Sequence, residues 1–318
     1  MTKLMTYKAH LRAILLLGLP LIGGHLAQFA IGLTDTIMIG RYGVPELAAL
    51  TLATTVFAVL FLFGSGFAWA VMPMVATFVA IKDEVRVRRA TRMGLWLSIA
   101  TFAVMMPGMW YSEWLLVRLG QAPSVAADAQ VYLRIAGWGL LPALAVMVLK
   151  NFLAALELTR AAFWITVVAA FANALANYAL IFGNFGLPEL GIRGAAIASL
   201  CAHSVTFAGV VIYTQIKLPH YALWQRFWRA DSDMLRQVAA LGLPIGLTTL
   251  AEVGLFAASA VLIGWLGTVP LAAHGIALQL ATMPFMIHLG LAYVATVRAG
   301  NALGRNDPAH LRRGAVVV

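Results

Sequence analysis

Residues 13–40 read AILLLGLPLIGGHLAQFAIGLTDTIMIG. The run has no lysine or arginine, and its one acid is Asp35. About 20 apolar residues suffice for a helix to cross the hydrocarbon core of a bilayer. This stretch therefore predicts a membrane-spanning helix that carries an acid inside it. The basic tail before it (Lys3, Lys8, Arg12) looks like the start of a signal peptide. The apolar run continues to Gly40, shows no cleavage site and is followed by further runs, so it reads as an uncleaved first span.

Seven more apolar runs follow, at about 47–81, 94–111, 131–156, 161–183, 193–216, 237–266 and 271–303. The second is too long for one perpendicular crossing and too short for two, so a single tilted, protruding helix is expected. A ninth begins near Ala309, and the sequence stops at Val318 inside apolar residues. The composition agrees: 62% of the 318 residues are hydrophobic and 11% are charged. Soluble domains carry about 25% charged residues. The expected fold is all-α, a polytopic membrane helix bundle. The lone Cys201 excludes an intrachain disulfide framework.

The net charge of +10 raises nucleic acid as a partner, but the basic residues sit between apolar runs and report topology instead. Of the 22 lysines and arginines, 18 fall on the side of the N-terminus when the runs alternate. Lys150 is placed there, in the loop after the fourth run. Arg41, Arg118, Arg134 and Arg193 fall on the other side. The positive-inside rule makes the N-terminal side cytoplasmic. A multi-pass membrane protein with a cytoplasmic N-terminus is expected, with membrane lipid as a partner and no nucleic acid.

The chain also repeats. Shifted by 224 residues, Gly18-Leu19-Pro20 falls on Gly242-Leu243-Pro244, and Leu47-Ala48-Ala49 on Leu271-Ala272-Ala273. Gly66 falls on Gly290, and Arg88-Arg89 on Arg312-Arg313, with no gap across about 70 positions. Runs 1–2 thus recur as runs 7–8. Six spans lie between equivalent positions, so both copies have one orientation, as in transporters built from two six-helix halves. The expected organisation is a six-span N-lobe over 1–216, an interfacial linker over 217–236, and a partial C-lobe over 237–318. The linker mixes aromatics and arginines, as a segment lying in the membrane interface would. A six-plus-six architecture would be represented by eight to nine spans, and the chain is expected to be truncated after Val318.

Ten of the twelve acids sit in loops or at run ends, and two do not: Asp35 and Glu252. An acid at membrane depth costs roughly 2.5–3.5 kcal/mol to insert, so it usually faces a cavity or a partner. A protonated structural acid is the alternative, and Asp35 is also near enough to the outer end to be solvated. The repeat aligns Asp35 with Ser259 and Glu252 with Gln28. Asn173 and Asn177 are four apart and share a helix face. They either complete a cation or proton site with Asp35 or join helices as buried amides. Gln279 is a weaker candidate in the other lobe. His25, His203, His274 and His288 lack metal-ligand spacing and read as packing residues. Pro20 and Pro244 each remove a helical hydrogen bond. No phosphate-binding Gly-x-x-x-x-Gly-Lys loop occurs, so an ion gradient is the expected energy source.

These residues resemble the multidrug and toxic compound extrusion (MATE) transporters, in their bacterial NorM-like branch. The segments that carry the resemblance are Gly18-Leu-Pro-Leu21, Gln28 through Gly40, Asn173-x-x-x-Asn177, Phe185 through Gly191 with Gly194-Ala-Ala, Ala251-Glu252-Val253 and Ala272-Ala-His274. His274 is followed by Gly275, where the family often has glutamine. The resemblance implies a twelve-span antiporter that exports organic cations or drugs against Na⁺ or H⁺, with no cofactor, no enzyme activity and no metal beyond Na⁺. It implies a monomer. It implies an N-lobe cation or proton site at Asp35, Asn173 and Asn177, with Ser199 as a further member, and a C-lobe site at Glu252. Gln28 and Gln279 would line the substrate cavity. Three other readings stand beside it. A lipid-linked precursor flippase would be expected to show mid-span arginine. A membrane enzyme would need a His, Asp or Glu cluster at one face. A non-transporting fragment is the third.

Overall fold

A computed structural model describes residues 7–264 and 268–317. Among the described residues the regular structure is helical, with no strand. The helices are α1 (Tyr7–Tyr42), α2 (Val44–Ala80), α3 (Glu84–Trp110), α4 (Ser112–Arg118), α5 (Pro123–Ala136), α6 (Leu140–Ala155), α7 (Thr159–Phe182), α8 (Ile192–Lys217), α9 (Ser232–Gly264), α10 (Thr268–Gly304) and α11 (Pro308–Val317). A 3₁₀ turn at Gly137–Gly139 joins α5 to α6, and the pair forms one crossing. Among the described residues, eight helices or helix pairs are long and apolar enough to cross a membrane, as the eight apolar runs predict. The second run is indeed one helix, α2, of 37 residues.

Local sequence explains the boundaries. Pro45 stands in the first turn of α2, where its missing N–H leaves no helical partner unsatisfied. Asp83 caps α3 by accepting the Arg86 amide at 2.9 Å. Gly183 ends α7 at φ 69°, in the left-handed region.

The helices alternate in direction, so the bundle has two ends. The base holds the starts of α1, α3, α7 and α9. The far end holds the α1–α2 and α7–α8 connections. One buried cluster fills the base, from Val71 and Val75 through Val87, Leu149, Phe152 and Val238. A second fills the far end, around Ile39, Leu50, Leu133, Leu140 and Ile181. A third, including Leu17, Met72, Val294 and Val297, joins α1 and α2 to α10.

The repeat has a direct structural counterpart. α2 packs on α9 where Gly66 meets Gly242 and Gly246. A Cβ on Gly66 would collide with the Gly246 backbone, and one on Gly246 would sit 2.6 Å from the Phe63 carbonyl oxygen. Such backbone approach is how membrane helices associate through small residues. Advancing 66 and 246 by one repeat, in opposite senses, gives 290 and 22. A Cβ on Gly290 would sit 2.5 Å from Ile22 Cγ1. α10 therefore meets α1 as α2 meets α9.

The linker departs in part from the interfacial expectation. Trp228 is 77% exposed, as an interfacial residue would be. Most of the segment is instead folded against α3. The Arg92 guanidinium donates to the carbonyls of Ala222, Leu223 and Gln225. Trp96 donates its indole N–H to the Phe227 carbonyl at 3.0 Å. Arg89 pairs with Asp231, which also accepts the Met234 amide at the start of α9. The Arg89 hydrogen bond holds the Asp231 carboxyl below the usual carboxylate range.

Candidate functional site

Four helices bring the site together. Asp35 lies on α1, seven residues from its far end, and is 6% exposed. Asn173 and Asn177 lie one turn apart on α7, and Ser199 lies on α8; all three are buried. The α7–α8 connection sets their facing. The Leu190 and Gly191 amides donate to the carbonyls of Leu180 and Ile181. Gly194 rides so close to α7 that a Cβ there would sit 2.5 Å from the Leu180 carbonyl oxygen. Ser199 comes five residues after this crossing and Asn177 three residues before it, so the two side chains converge on one space.

Asp35 occupies that space. Asn177 Nδ2 donates to Asp35 Oδ1 at 2.5 Å and to Asn173 Oδ1 at 3.1 Å. Ser199 Oγ donates to Asp35 Oδ2 at 2.9 Å. The Tyr132 hydroxyl, on α5, lies 3.3 Å from Ser199 Oγ. Among the described residues, no lysine or arginine forms an ion pair with Asp35. A buried carboxylate held by neutral donors alone is stabilised further by a proton or by a mobile cation. Two polar atoms beside it are buried without a partner, Asn173 Nδ2 and Asn177 Oδ1.

Asp35 and Ser199 open onto a cavity of about 430 Å³. Its walls are mostly apolar, with Phe29, Phe57, Phe61, Phe163, Met147 and Met286 among them. Size and lining suit a drug-sized molecule. Gln28 is also on its wall. On the C-lobe side the wall is α10, where Tyr293 accepts a hydrogen bond from the Trp69 indole.

Glu252 is placed elsewhere. It is exposed on α9 and is not among the residues that line the cavity. The Gln279 side chain lies outside the described residues. Among the described residues, no group of three His, Cys, Asp or Glu side chains could hold a metal ion.

Several cavity residues escaped the sequence reading. Lys150 is the main correction. It is not in a loop: it sits within α6, five residues before its end, and lines the cavity. The apolar run 131–156, which extends beyond it, held that signal. His25 and His203 also line the cavity, although they read as packing residues. His25 does pack, edge-on to Tyr293 with centroids 5.1 Å apart, and His203 stacks on Phe57 at 6.0 Å. Nothing in the sequence singled out Tyr132.

Comparison with known proteins decides the family. The MatE family model matches residues 20–179 and again 244–318. The chain belongs to this family. The two matches begin at Pro20 and Pro244, which are repeat-equivalent, so the family model finds the internal repeat independently. MATE proteins are transporters, not enzymes, and this chain is a multi-pass integral membrane protein. Among curated relatives, a "Probable multidrug resistance protein NorM" of Rhizobium meliloti is 47% identical over 315 residues, covering 98% of this chain and 68% of that protein. One of the same name from Agrobacterium fabrum is 46% identical, covering 98% and 67%. The chain thus spans about two thirds of their length. Among solved structures, a eukaryotic MATE transporter superposes with a TM-score of 0.86 at 18% identity, covering 98% of this chain and 69% of that one. A MOP superfamily transporter from Pyrococcus furiosus gives 0.84 at 21%, covering 97% and 68%. The fold is therefore that of MATE transporters.

Proposed function

We propose that this MATE protein is a secondary antiporter that exports organic cations or drugs in exchange for Na⁺ or H⁺. It would lie in a bacterial cytoplasmic membrane with its N-terminus inside, as the charge bias between the two ends supports. The observation that carries the reading is Asp35, a buried acid among neutral donors on the wall of a drug-sized apolar cavity. The relatives named for multidrug resistance supply the substrate class.

The chemistry follows from the arrangement. With a proton on Asp35, the carboxyl is neutral and can remain buried. With the proton gone, the carboxylate attracts an organic cation in the adjoining cavity. Sodium would use the same groups. Turning the Asn177 amide over would aim its unpartnered Oδ1 at Asp35 and Asn173. Asp35, Asn173, Asn177 and Ser199 would then present oxygens alone, the donor type a hard cation takes. In either case the coupling ion and the substrate compete for one carboxylate, and that competition is what exchange requires. Glu252, by resemblance, and Gln279, by its place in the eighth run, remain proposed C-lobe contributors. No cofactor enters this reading.

The test is efflux of a fluorescent organic cation in everted vesicles carrying the protein, driven separately by a Na⁺ gradient and by a pH gradient. The reading expects one gradient to drive accumulation and the matching ionophore to abolish it. Accumulation that persists with both gradients collapsed, or none under either, contradicts it.

A further inference from the structure

The first turns of α3 carry a basic face that the transport reading does not use. Val85, Arg88, Arg89 and Arg92 recur at steps of three and four residues, so they share one side of the helix. The linker lies across that side, and between the two is a second pocket, of about 590 Å³. Arg88, Arg89 and Arg92 line it from α3, and Arg226 and Arg229 line it from the linker. Met93 is buried beside them, and its sulfur accepts the Asp231 amide at 3.4 Å.

The charges in this pocket do not cancel. Asp231 is the one acid among the residues that line it, and Arg89 holds it. The Arg92 guanidinium donates to three carbonyls, which are neutral and leave its charge uncompensated. Among the described residues, Arg88, Arg226 and Arg229 form no ion pair. Arg226 stands at φ 52°, in the left-handed region that a residue with a Cβ rarely adopts. The Arg229 amide donates to its carbonyl at 3.0 Å, so one tight turn carries both arginines. Four uncompensated positive side chains thus border one opening, and the carboxylate that lines it is already engaged.

The depth of the pocket selects the anion. The apolar run of α3 begins at Gly94. Arg92 and Arg88 precede it by two and six residues, roughly 3 and 9 Å along the helix axis. That is the headgroup layer at the edge of the hydrocarbon core. Trp228, between the two linker arginines, is 77% exposed, as an aromatic in that layer would be. Val85, on the pocket wall, is 52% exposed and gives it an apolar edge.

We propose that this pocket binds the phosphodiester of an anionic phospholipid, in the leaflet at the base of the bundle. Guanidinium groups meet phosphate oxygens through paired, charge-assisted hydrogen bonds. Basic pockets at the ends of membrane helices take acidic headgroups in this way. The bound lipid would bridge α3 and the linker, beside the Arg89–Asp231 pair. The site shares no lining residue with the cavity of Asp35 and does not depend on what that cavity carries.

Native mass spectrometry of the purified protein reads the affinity of the first bound phosphatidylglycerol, and of phosphatidylcholine, whose headgroup is zwitterionic. Two charge-matched pairs are compared. Arg88→Gln with Arg229→Gln changes the pocket; Lys8→Gln with Arg160→Gln changes exposed residues at the same base but outside it. We expect the wild type to prefer phosphatidylglycerol. The pocket pair should bind that lipid about tenfold more weakly, a change of about 1.4 kcal/mol, while the control pair keeps the preference. Arg88→Lys with Arg229→Lys keeps both charges and should hold the lipid. An equal loss in the two glutamine pairs means a general attraction to the basic base and overturns the pocket. An unchanged affinity in the pocket pair also overturns it. Should that pair fail to fold, Arg229→Gln alone carries the test, since Arg229 is exposed on the linker, and a wild-type preference there overturns the site. Glycerol 3-phosphate that displaces the lipid at equal concentration would assign the site to soluble phosphate esters and overturn the lipid assignment.

Discussion

The Trp69 indole N–H donates to the hydroxyl of Tyr293, and the two residues stand 224 positions apart, one full repeat. Two repeat-equivalent positions thus meet each other. They do so on the cavity wall, next to the third buried cluster. The hydrogen bond ties α2 to α10 where both meet α1. A double-mutant cycle with Trp69→Phe, Tyr293→Phe and the pair, read by thermal unfolding in lipid discs, should show coupling of about 0.6 kcal/mol, the average for interhelical bonds in membranes. Strict additivity would mean that the bond does not hold α2 to α10.

The Gly66–Gly246 crossing should be intolerant of a single methyl. Gly246→Ala places a carbon against the Phe63 carbonyl and forces α2 and α9 apart. A cost of about 1–3 kcal/mol is expected from overpacking, measured as a lowered unfolding temperature. Gly254→Ala, on the same helix but with no atom within 4 Å of the added carbon, should change it little.

Asn177 and Ser199 should differ in their effect on the site. Asn177→Ala removes the donor shared by Asp35 and Asn173, while Ser199→Ala removes one donor to Asp35. For sodium, Asn177→Ala should weaken the affinity more, by about 1–3 kcal/mol, because it also removes the amide oxygen that would turn toward the ion. Competition of the ion against a bound fluorescent cation measures this. Equal or reversed effects would contradict the geometry.

The linker clasp should be sensitive to acid. Arg89 holds Asp231 below the usual carboxylate range, so its contribution is fully present above the ordinary value of about 3.9 and is lost as pH falls through the lowered one. The pair is partly exposed, and about 1 kcal/mol or less is at stake. Unfolding temperatures of wild type and Asp231→Asn should differ at pH 7 and converge below pH 4. A gap that widens on acidification would be contrary to the assignment.

Much of the fold was legible because lipid imposes one rule: each crossing needs a long apolar run, and each run here became a helix or a helix pair. The repeat was legible through its glycines and prolines, since close helix crossings tolerate few residue types. Asp35, Asn173 and Asn177 were readable as polar groups in apolar runs, and Ser199 only through the family resemblance. Tyr132 and the two cavity histidines were not, because an amphipathic side chain fits lipid, protein interior and cavity alike. Lys150 was misplaced because a lysine near a span end normally reaches the interface, and sequence does not show which way its stem turns. The linker was half legible: its aromatics suggested the interface, but the Arg92 clasp depends on three backbone carbonyls that no composition reveals.

The central claim is that one carboxylate, Asp35, serves both the coupling ion and the substrate. Equilibrium binding of a fluorescent organic cation to the purified protein, titrated with Na⁺ and with pH, in wild type and Asp35→Asn, tests it most directly. The account predicts that the coupling ion weakens cation binding in the wild type and that Asp35→Asn binds the cation less tightly with no dependence on that ion. Wild-type ion dependence retained in Asp35→Asn would contradict it.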